Sequence, residues 1–301
     1  MFSNEAAEMP VIQQKNKTLD GIWRVAIQGI KGAFHDVAAH HFHVGEKIEL
    51  VDSETFDELI KNVETGKADA AVMAIENTIA GSLLRNYNLI EGSHLKIHGE
   101  IFLRIKQNLM ALPGVKISDL REVHSHPIAL QQCVEFFKQY PKIRLVETSD
   151  TALEAKKIQK NHTRTIGAVA AVRAAEIYGL NLLAESIETF KQNYTRFLYL
   201  STHEMSLNMD DAAQPHKVSL VFTAAHSVGS LHHVLAILAI HQCNLTKIQS
   251  APIMDKPWEY MFFADFTMED VSRFEEIIEK LRTVTGTLKV FGLYKSGKYF
   301  E

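Results

Sequence analysis

Short apolar runs alternate with amphipathic segments through the first 200 residues of the chain. Residues 24–28, 49–51 and 70–75 have patterns of strand length, and the last is a continuous apolar run, as expected for a strand buried on both faces. Residues 56–63 carry apolar side chains at helical spacing between the second and third runs. Strands alternating with helices over short links predict a parallel sheet covered by helices.

The same alternation repeats further along the chain. Strand-like runs begin near residues 101, 122, 144, 166, 182 and 196, and most of the intervening segments have helical patterns. Two such sets predict an α/β body of two lobes. Ligands bind such bodies between the lobes and at the carboxyl ends of strands.

The C-terminal part of the chain has a different order of predicted strands and helices. After a polar stretch at 203–215, interpreted as a linker, residues 216–301 read as strand, helix, strand, strand, helix, strand. This βαββαβ order predicts a separate small domain with a four-stranded sheet and two helices on one face. Residues 1–21 are polar and aperiodic, and we expect a disordered tail there.

Composition and charge narrow the function classes. The net charge is 32 − 36 = −4, which lacks the basic footprint of nucleic-acid binding. No apolar run is long enough to cross a membrane, and the N-terminus has no secretion-signal pattern. The two cysteines, Cys133 and Cys243, are too far apart in sequence for a CxxC metal site and predict no disulfide framework. We therefore expect a cytoplasmic protein.

A cluster of histidines near residues 35–43 raises the question of a metal. His35 and His40 are five residues apart, which does not give the paired ligands of a helical metal site. A solvated helix face is the simpler interpretation, and we expect no metal.

Five segments carry polar or glycine residues directly beside predicted strands. They are Gly29–Phe34, Ile75–Ser82, Ser125–Cys133, Ser149–Ala152 and Asn193–Phe197. Each has a plain structural alternative, because glycine turns are common and Asn, Ser and Thr cap helices. Arg196 opens an apolar strand and needs an anionic partner. A ligand carboxylate and a protein carboxylate both fit at this stage.

In order and spacing, the five segments resemble the prephenate dehydratase family from about Arg24 to Tyr294. The most specific matches are Ile75-Glu76-Asn77 with Gly81, Ser125-His126-Pro127 with Gln132-Cys133, and Asn193-x-Thr195-Arg196-Phe197. The part from Lys217 resembles an ACT domain, through Gly229-Ser230-Leu231, Asn244-Leu245-Thr246-Lys247-Ile248 and Pro257-Trp258-Glu259-Tyr260.

The resemblance implies a fold and a reaction. The fold is a two-lobed catalytic domain at 22–202, of the periplasmic-binding-protein-like type II, followed by a ferredoxin-like ACT regulatory domain at 216–301. The reaction is the decarboxylative dehydration of prephenate to phenylpyruvate in phenylalanine biosynthesis, which needs no cofactor. The catalytic residues it implies are Thr195, Arg196, Asn77, Ser125 and Gln132. The substrate-binding residues it implies are Glu76, Gly81, His126, Ser149, Thr151, Phe197 and Gly32.

Within that set we expect distinct roles. Thr195 is placed as hydrogen-bond or proton donor to the departing hydroxyl, and Arg196 as the clamp on a substrate carboxylate. Some positions beside the site depart from the family pattern: Ala74 replaces a proline, Ile128 a glutamine, and His35 a serine or threonine.

For the small domain, the resemblance implies feedback inhibition by phenylalanine and assembly as a homodimer or dimer of dimers. The implied effector residues are Gly229, Ser230, Leu231, Asn244, Leu245, Gln249, Ser250 and Pro252. The usual Glu-Ser-Arg-Pro stretch appears here as Gln249-Ser250-Ala251-Pro252, without its two charges.

Alternative functions remain open at this stage. Arogenate dehydratase performs the same chemistry on the amino analogue, and no residue pattern separates the two substrates. A non-catalytic solute-binding protein or an amino-acid sensor could also use a two-lobed α/β cleft.

Overall fold

The structure is a computed structural model that describes residues 21–203, 216–225, 227–253, 256 and 258–301. The predicted N-terminal tail and linker lie outside these residues, apart from Gly21 and His203 at their edges. Within the described ranges, no helix is long and apolar enough to cross a membrane.

The first lobe is built on a mixed sheet. Its elements are β1 (Trp23–Gln28), α1 (Phe34–Phe42), β2 (Ile48–Ser53), α2 (Phe56–Glu64), β3 (Ala70–Asn77), β4 (Gly81–Ser82), α3 (Leu84–Gly92) and β5 (Lys96–Arg104). β1 pairs in parallel with both β2 and β3, as the alternating pattern predicted. Thr55 caps α2 by accepting a hydrogen bond from the N–H of Glu58.

The second lobe has its own five-stranded sheet. Its elements are β6 (Asn108–Ala111), β7 (Glu122–Ser125), α4 (Pro127–Gln132), α5 (Val134–Phe137), β8 (Arg144–Glu147), α6 (Thr151–Asn161), β9 (Ile166–Ala170), α7 (Val172–Tyr178) and β10 (Asn181–Ala184). The strand order is β10-β6-β9-β7-β8. Its apolar core is separate from that of the first lobe.

The chain then returns to the first lobe. Strand β11 (Tyr194–Ser201) lies antiparallel between β3 and β5. Side chains alternate across it as on any strand. Phe197 and Tyr199 join the core beneath α1, whereas Leu198 and Leu200 join the core on the opposite face.

The small domain contains β12 (His216–Thr223), α8 (Ser230–Ile240), β13 (Asn244–Pro252), β14 (Tyr260–Met268), α9 (Phe274–Val284) and β15 (Leu288–Lys295). These elements follow the predicted βαββαβ order and form an antiparallel sheet in the order β13-β14-β12-β15. Residues Phe263 and Phe291 from one face of this sheet join the first lobe's core. Both helices pack on the other face.

One strand departs from the expected division. Strand β16 (Lys298–Phe300), which the sequence interpretation placed in the small domain, pairs in parallel with β5 of the first lobe. The pairing covers the outer edge of β5, and it leaves the small domain joined to the first lobe by both sheet and core.

Candidate active site

A cleft of about 300 Å³ lies between the two lobes. This volume is at the lower end of the range for small-molecule sites. The first lobe contributes the end of β3 and the beginning of β11, and the second contributes residues around α4 and α6. Of the predicted catalytic and substrate-binding residues, those lining the cleft are Asn77, His126, Gln132, Ser149, Thr151, Thr195 and Phe197.

Thr195 and Asn77 form the polar pair at the centre of this arrangement. They are direct partners in the pairing of β11 with β3. The Oδ1 atom of Asn77 accepts the N–H groups of Ile79 and Ala80, both at 2.9 Å, which orients its amide. Its Nδ2 donates to the Thr195 hydroxyl at 3.0 Å. Since that oxygen already accepts, the Thr195 hydrogen can donate to a ligand.

The Asn77 amide begins a network that joins the lobes. Its Nδ2 also donates to Asn193 Oδ1 at 2.8 Å, and Asn193 Nδ2 donates to Gln132 Oε1 at 3.2 Å. Gln107 Nε2 donates to the same Gln132 oxygen at 3.3 Å. Gln107 Oε1 is then left buried without a donor among the described residues.

The N-terminus of α1 also faces the cleft. Its cap residue, Ala33, has no side chain with which to accept a hydrogen bond. Phe34 and His35 line the cleft, and no described residue accepts their backbone N–H groups. Free N–H groups at a helix N-terminus attract carboxylates and phosphates.

Two cleft residues have perturbed acidities. Burial lowers the pKa of His35 to about 3, and its Nε2 accepts the N–H of Ala74 at 3.3 Å, so the ring is neutral. Burial raises the pKa of Asp150, although backbone N–H groups of Leu153 and Ala152 oppose that effect. No lysine or arginine is found among the described residues that line the cleft.

Arg196 requires a correction. Thr195 and Phe197 face the cleft, so strand alternation directs Arg196 to the opposite side of the sheet. There Nε contacts Glu100 at 2.6 Å and Nη1 contacts Asp265 of the small domain at 2.5 Å. The guanidinium is 5% exposed. The expected substrate clamp is therefore wrong for this structure, because two protein carboxylates bind the side chain away from the cleft.

Glu76 lies beside Arg196 on the same side of the sheet. Its carboxylate pairs with Lys247 of the small domain at 3.0 Å. The sequence interpretation placed Glu76 at the substrate, and the alternation that turns Asn77 towards the cleft turns Glu76 away from it.

Three further predicted residues lie outside the cleft lining. Ser125 is fully buried and donates to the carbonyl of Val169 at 2.6 Å, which makes it a structural link between strands. Gly32 has φ +94° and lies against Ala174 of the second lobe. Gly81 has φ +81° at the start of β4, directly after the turn that follows β3. Both glycines adopt a backbone conformation that disfavours other residues.

The cleft also contains residues that the sequence interpretation did not assign to the site. They are Gln28, Ala33, Phe34, His35, Phe56, Ala74, Ala80, Leu83, Ile105, Gln107, Ile128, Ala129 and Asp150. Asp150 stood within a segment already singled out, between Ser149 and Thr151. Ala33, Phe34, Ala80, Ile128 and Ala129 also lie in singled-out segments, whereas the other apolar members, Phe56, Ala74, Leu83 and Ile105, carry no local pattern that marks a ligand surface.

The predicted effector residues lie in two parts of the small domain. Gly229, with φ +85°, precedes α8, and Ser230 lines a cavity of about 1040 Å³ at that end of the domain. Asn244, Leu245, Gln249, Ser250 and Pro252 lie on β13, which is the edge strand of the sheet.

Comparisons with known proteins bear on this site. The family model described as prephenate dehydratase matches residues 25–205. The chain is 35% identical over 287 residues to arogenate dehydratase/prephenate dehydratase 1 of Arabidopsis thaliana, with 90% of this chain and 71% of that protein covered. It is 30% identical to the bifunctional chorismate mutase/prephenate dehydratase of Escherichia coli K12, with 94% and 74% covered.

Two solved structures share the fold over most of its length. The prephenate dehydratase of Arthrobacter aurescens in complex with L-Phe has a TM-score of 0.78 and 26% identity, covering 90% of this chain and 89% of its own. A protein described as a novel type of quorum-quenching acylase has a TM-score of 0.79 and 26% identity, covering 91% and 98%. From the family model and the relatives together, the chain belongs to the prephenate dehydratase family.

Proposed function

We propose that this chain is a lyase of phenylalanine biosynthesis that converts prephenate to phenylpyruvate, carbon dioxide and water in the cleft between its lobes. The observation that carries this assignment is the Thr195–Asn77 pair. It presents at the cleft a hydroxyl whose oxygen accepts from Asn77 and whose hydrogen has no acceptor among the described residues, where a departing oxygen would need a hydrogen-bond donor.

The reaction requires little from the protein beyond geometry and one donor. The bond from the ring to its carboxylate breaks and releases carbon dioxide. Its electron pair moves through the ring, and the hydroxyl opposite leaves with a proton as water. Because a threonine hydroxyl is a very weak acid, we assign Thr195 the role of a preorganised donor that stabilises the departing oxygen and can relay a proton.

No lysine or arginine lies in the described cleft lining, so backbone N–H groups, hydroxyls and amides are the candidates to bind the carboxylates. The free N–H groups at the start of α1 suit one carboxylate. The hydroxyls of Ser149 and Thr151, at the start of α6, suit the other. Asn77 and Gln132 belong to a network whose orientation is set by backbone N–H groups, so the site is ordered before the substrate arrives.

The direct test is turnover of prephenate by the purified protein at neutral pH, followed as phenylpyruvate formation. We expect turnover far above the uncatalysed rate. Binding of prephenate with no turnover of either prephenate or arogenate would contradict the dehydratase function and favour the solute-binding alternative.

Arogenate dehydratase is the second candidate. One relative is named for both arogenate and prephenate dehydratase activity, and its match covers 90% of this chain. The same donor and the same carboxylate sites would serve either molecule. Side-by-side assay of the two substrates distinguishes the candidates.

For the small domain, we propose an ACT domain that binds phenylalanine and pairs with a second copy in a homodimer or dimer of dimers. Its βαββαβ topology supports this, as does the L-Phe complex of the Arthrobacter relative. The edge strand β13, with Ile248 40% exposed, offers a surface for pairing. Calorimetry that detects no heat at millimolar phenylalanine would contradict the effector role.

We also propose the cytosol as the compartment. Cys133 and Cys243 are both free thiols, which suits a reducing environment.

A further inference from the structure

Asp150 is an unusual neighbour for a substrate that carries two carboxylates. It lines the cleft, and it is the one acidic residue among the described lining residues. Its Oδ1 caps α6 by accepting the N–H of Leu153 at 2.7 Å. Its Oδ2 reaches across to Gly29 of the first lobe, where an added Cβ would meet it at 2.7 Å. The carboxylate therefore lies where the two lobes meet.

No lysine or arginine in the described lining offsets this negative charge; burial raises the pKa of Asp150, and His126 opposes that effect less strongly than burial promotes it. Two histidines are present, His35 and His126. The Nε2 of His35 accepts the N–H of Ala74, and the Nδ1 of His126 accepts the N–H of Ile128, both at 3.3 Å. A ring nitrogen that accepts a hydrogen bond carries no proton, and burial lowers the pKa of His35 to about 3, so the His35 ring is neutral.

A second acceptor in the cleft lacks a donor. Gln107 lines the cleft and is 3% exposed. Its amide orientation follows from the network that ends at the backbone N–H groups of Ile79 and Ala80. Its Oε1 has no partner in the described part of the chain. A buried acceptor of this kind favours a ligand that brings its own donor.

From these groups we propose that the cleft prefers arogenate to prephenate, and that Asp150 binds the ammonium group that only arogenate carries. The proposal rests on the proposed dehydratase function and adds its substrate preference. Both molecules carry two carboxylates and the leaving hydroxyl. Prephenate has a keto group in its side chain and two negative charges. Arogenate has an ammonium there and a net charge of minus one.

The chemistry at the ring is unchanged by this preference. Carbon dioxide and water leave in the same way, and the product from arogenate is phenylalanine. An ammonium beside Asp150 makes a charge-assisted hydrogen bond, whereas a keto oxygen beside Asp150 is repelled and leaves the carboxylate unpaired.

The test measures kcat/KM for both substrates in the wild type and in Asp150→Asn. Asparagine is as good a helix cap as aspartate, so the variant removes the charge and keeps the start of α6. We expect the wild type to favour arogenate by about tenfold or more, as one charge-assisted hydrogen bond allows. We expect Asp150→Asn to lower kcat/KM for arogenate by about 10- to 100-fold relative to that for prephenate.

Asp270→Asn is the matched control. Asp270 also caps a helical turn, by accepting the N–H of Ser272, but it does not line the cleft. We expect this variant to keep the wild-type ratio of the two substrates. Asp150→Ser, which also preserves a capping oxygen, repeats the test if Asp150→Asn folds poorly.

The possible outcomes distinguish a failure of this inference from a failure of the proposed dehydratase function. A wild type that turns over prephenate better than arogenate, or an Asp150→Asn variant that slows both equally, overturns the role of Asp150 and leaves the dehydratase function standing. A wild type that turns over neither substrate refutes the proposed function itself.

Discussion

At the scale of single residues, side-chain orientation on strand β11 decides which residues face the cleft. Thr195 and Arg196 are neighbours in sequence, yet one faces the cleft and the other the small domain. The sequence correctly indicated that Arg196 needs an anionic partner. Side chains alternate along a strand, so Arg196 could not share a face with Thr195 and Phe197. That alternation could have placed Arg196 away from the cleft.

His35 is a second residue whose surroundings determine its chemistry. It stands where the family pattern has serine or threonine, and it packs edge-on against Phe197 with ring centroids 5.0 Å apart. Its sequence position gave no sign of burial, because helix α1 also carries the exposed His40. Burial keeps it neutral, and that neutrality has a measurable consequence for stability.

We predict that His35→Gln reduces the acid sensitivity of folding. The pKa of His35 falls from 6.5 to about 3 in the folded state, so the unfolded state binds more protons between these values and the wild type loses stability as pH falls below 6.5. The loss from this group amounts to about 2 kcal/mol between pH 6.5 and 5.

Urea unfolding at pH 7 and pH 5 measures the effect. The free energy of unfolding should fall less between these pH values in His35→Gln than in the wild type. His232→Gln, which replaces an exposed histidine on α8, should behave as the wild type. Equal acid losses in all three proteins would refute the prediction.

At the scale of elements, the sequence predicted strands and helices better than it predicted contacts between distant segments. The parallel strands β1, β2 and β3 and the βαββαβ domain follow from apolar periodicity and appear as expected. Strand β16 was not predicted, because three residues carry no periodicity and its partner β5 is almost 200 residues away in sequence. Contacts between distant segments, such as the Gln107–Gln132 pair, were invisible for the same reason.

The contact between β11 and the small domain is a buried ionic cluster. Arg196 and Lys217 carry the positive charges, and Glu100 and Asp265 carry the negative ones. Tyr294 adds a hydroxyl that accepts from Arg196 at 3.1 Å. Burial alone would raise the pKa of Asp265, but Arg196 and Lys217 outweigh burial and hold that pKa below its usual value.

We predict that Asp265→Asn destabilises the protein by about 3 kcal/mol, because it leaves a buried guanidinium short of one carboxylate. The measurement is the free energy of unfolding at pH 7, where the Asp265 carboxylate is ionised. Its contribution disappears as pH falls through the lowered pKa.

The control for this prediction is Glu279→Gln. Glu279 pairs with Arg282 on the exposed surface of α9, with side chains 65% and 54% exposed. Exposed pairs contribute little, so the change should stay within about 0.5 kcal/mol. Equal effects of the two variants would show that the buried cluster contributes no more than a surface pair.

At the scale of the whole molecule, the two faces of β11 contact different parts of the protein. The face beneath α1 carries Thr195 at the cleft between the lobes. The opposite face carries Arg196, and there the first lobe and the small domain share one apolar core. The small domain therefore contacts the strand that carries the proposed donor, on the face opposite the cleft.

The most direct test of this account compares two deletions of a buried hydroxyl on the same strand. Thr195 and Ser201 both lie on β11 and are 9% and 0% exposed, and the Ser201 hydroxyl donates to the carbonyl of Asp69 at 2.9 Å, away from the cleft. The account predicts that Thr195→Ala lowers kcat by about 100-fold or more with little change in KM or unfolding temperature, since it removes a donor used in the transition state. Ser201→Ala should keep kcat near the wild-type value. A Thr195→Ala enzyme as fast as Ser201→Ala would contradict the account.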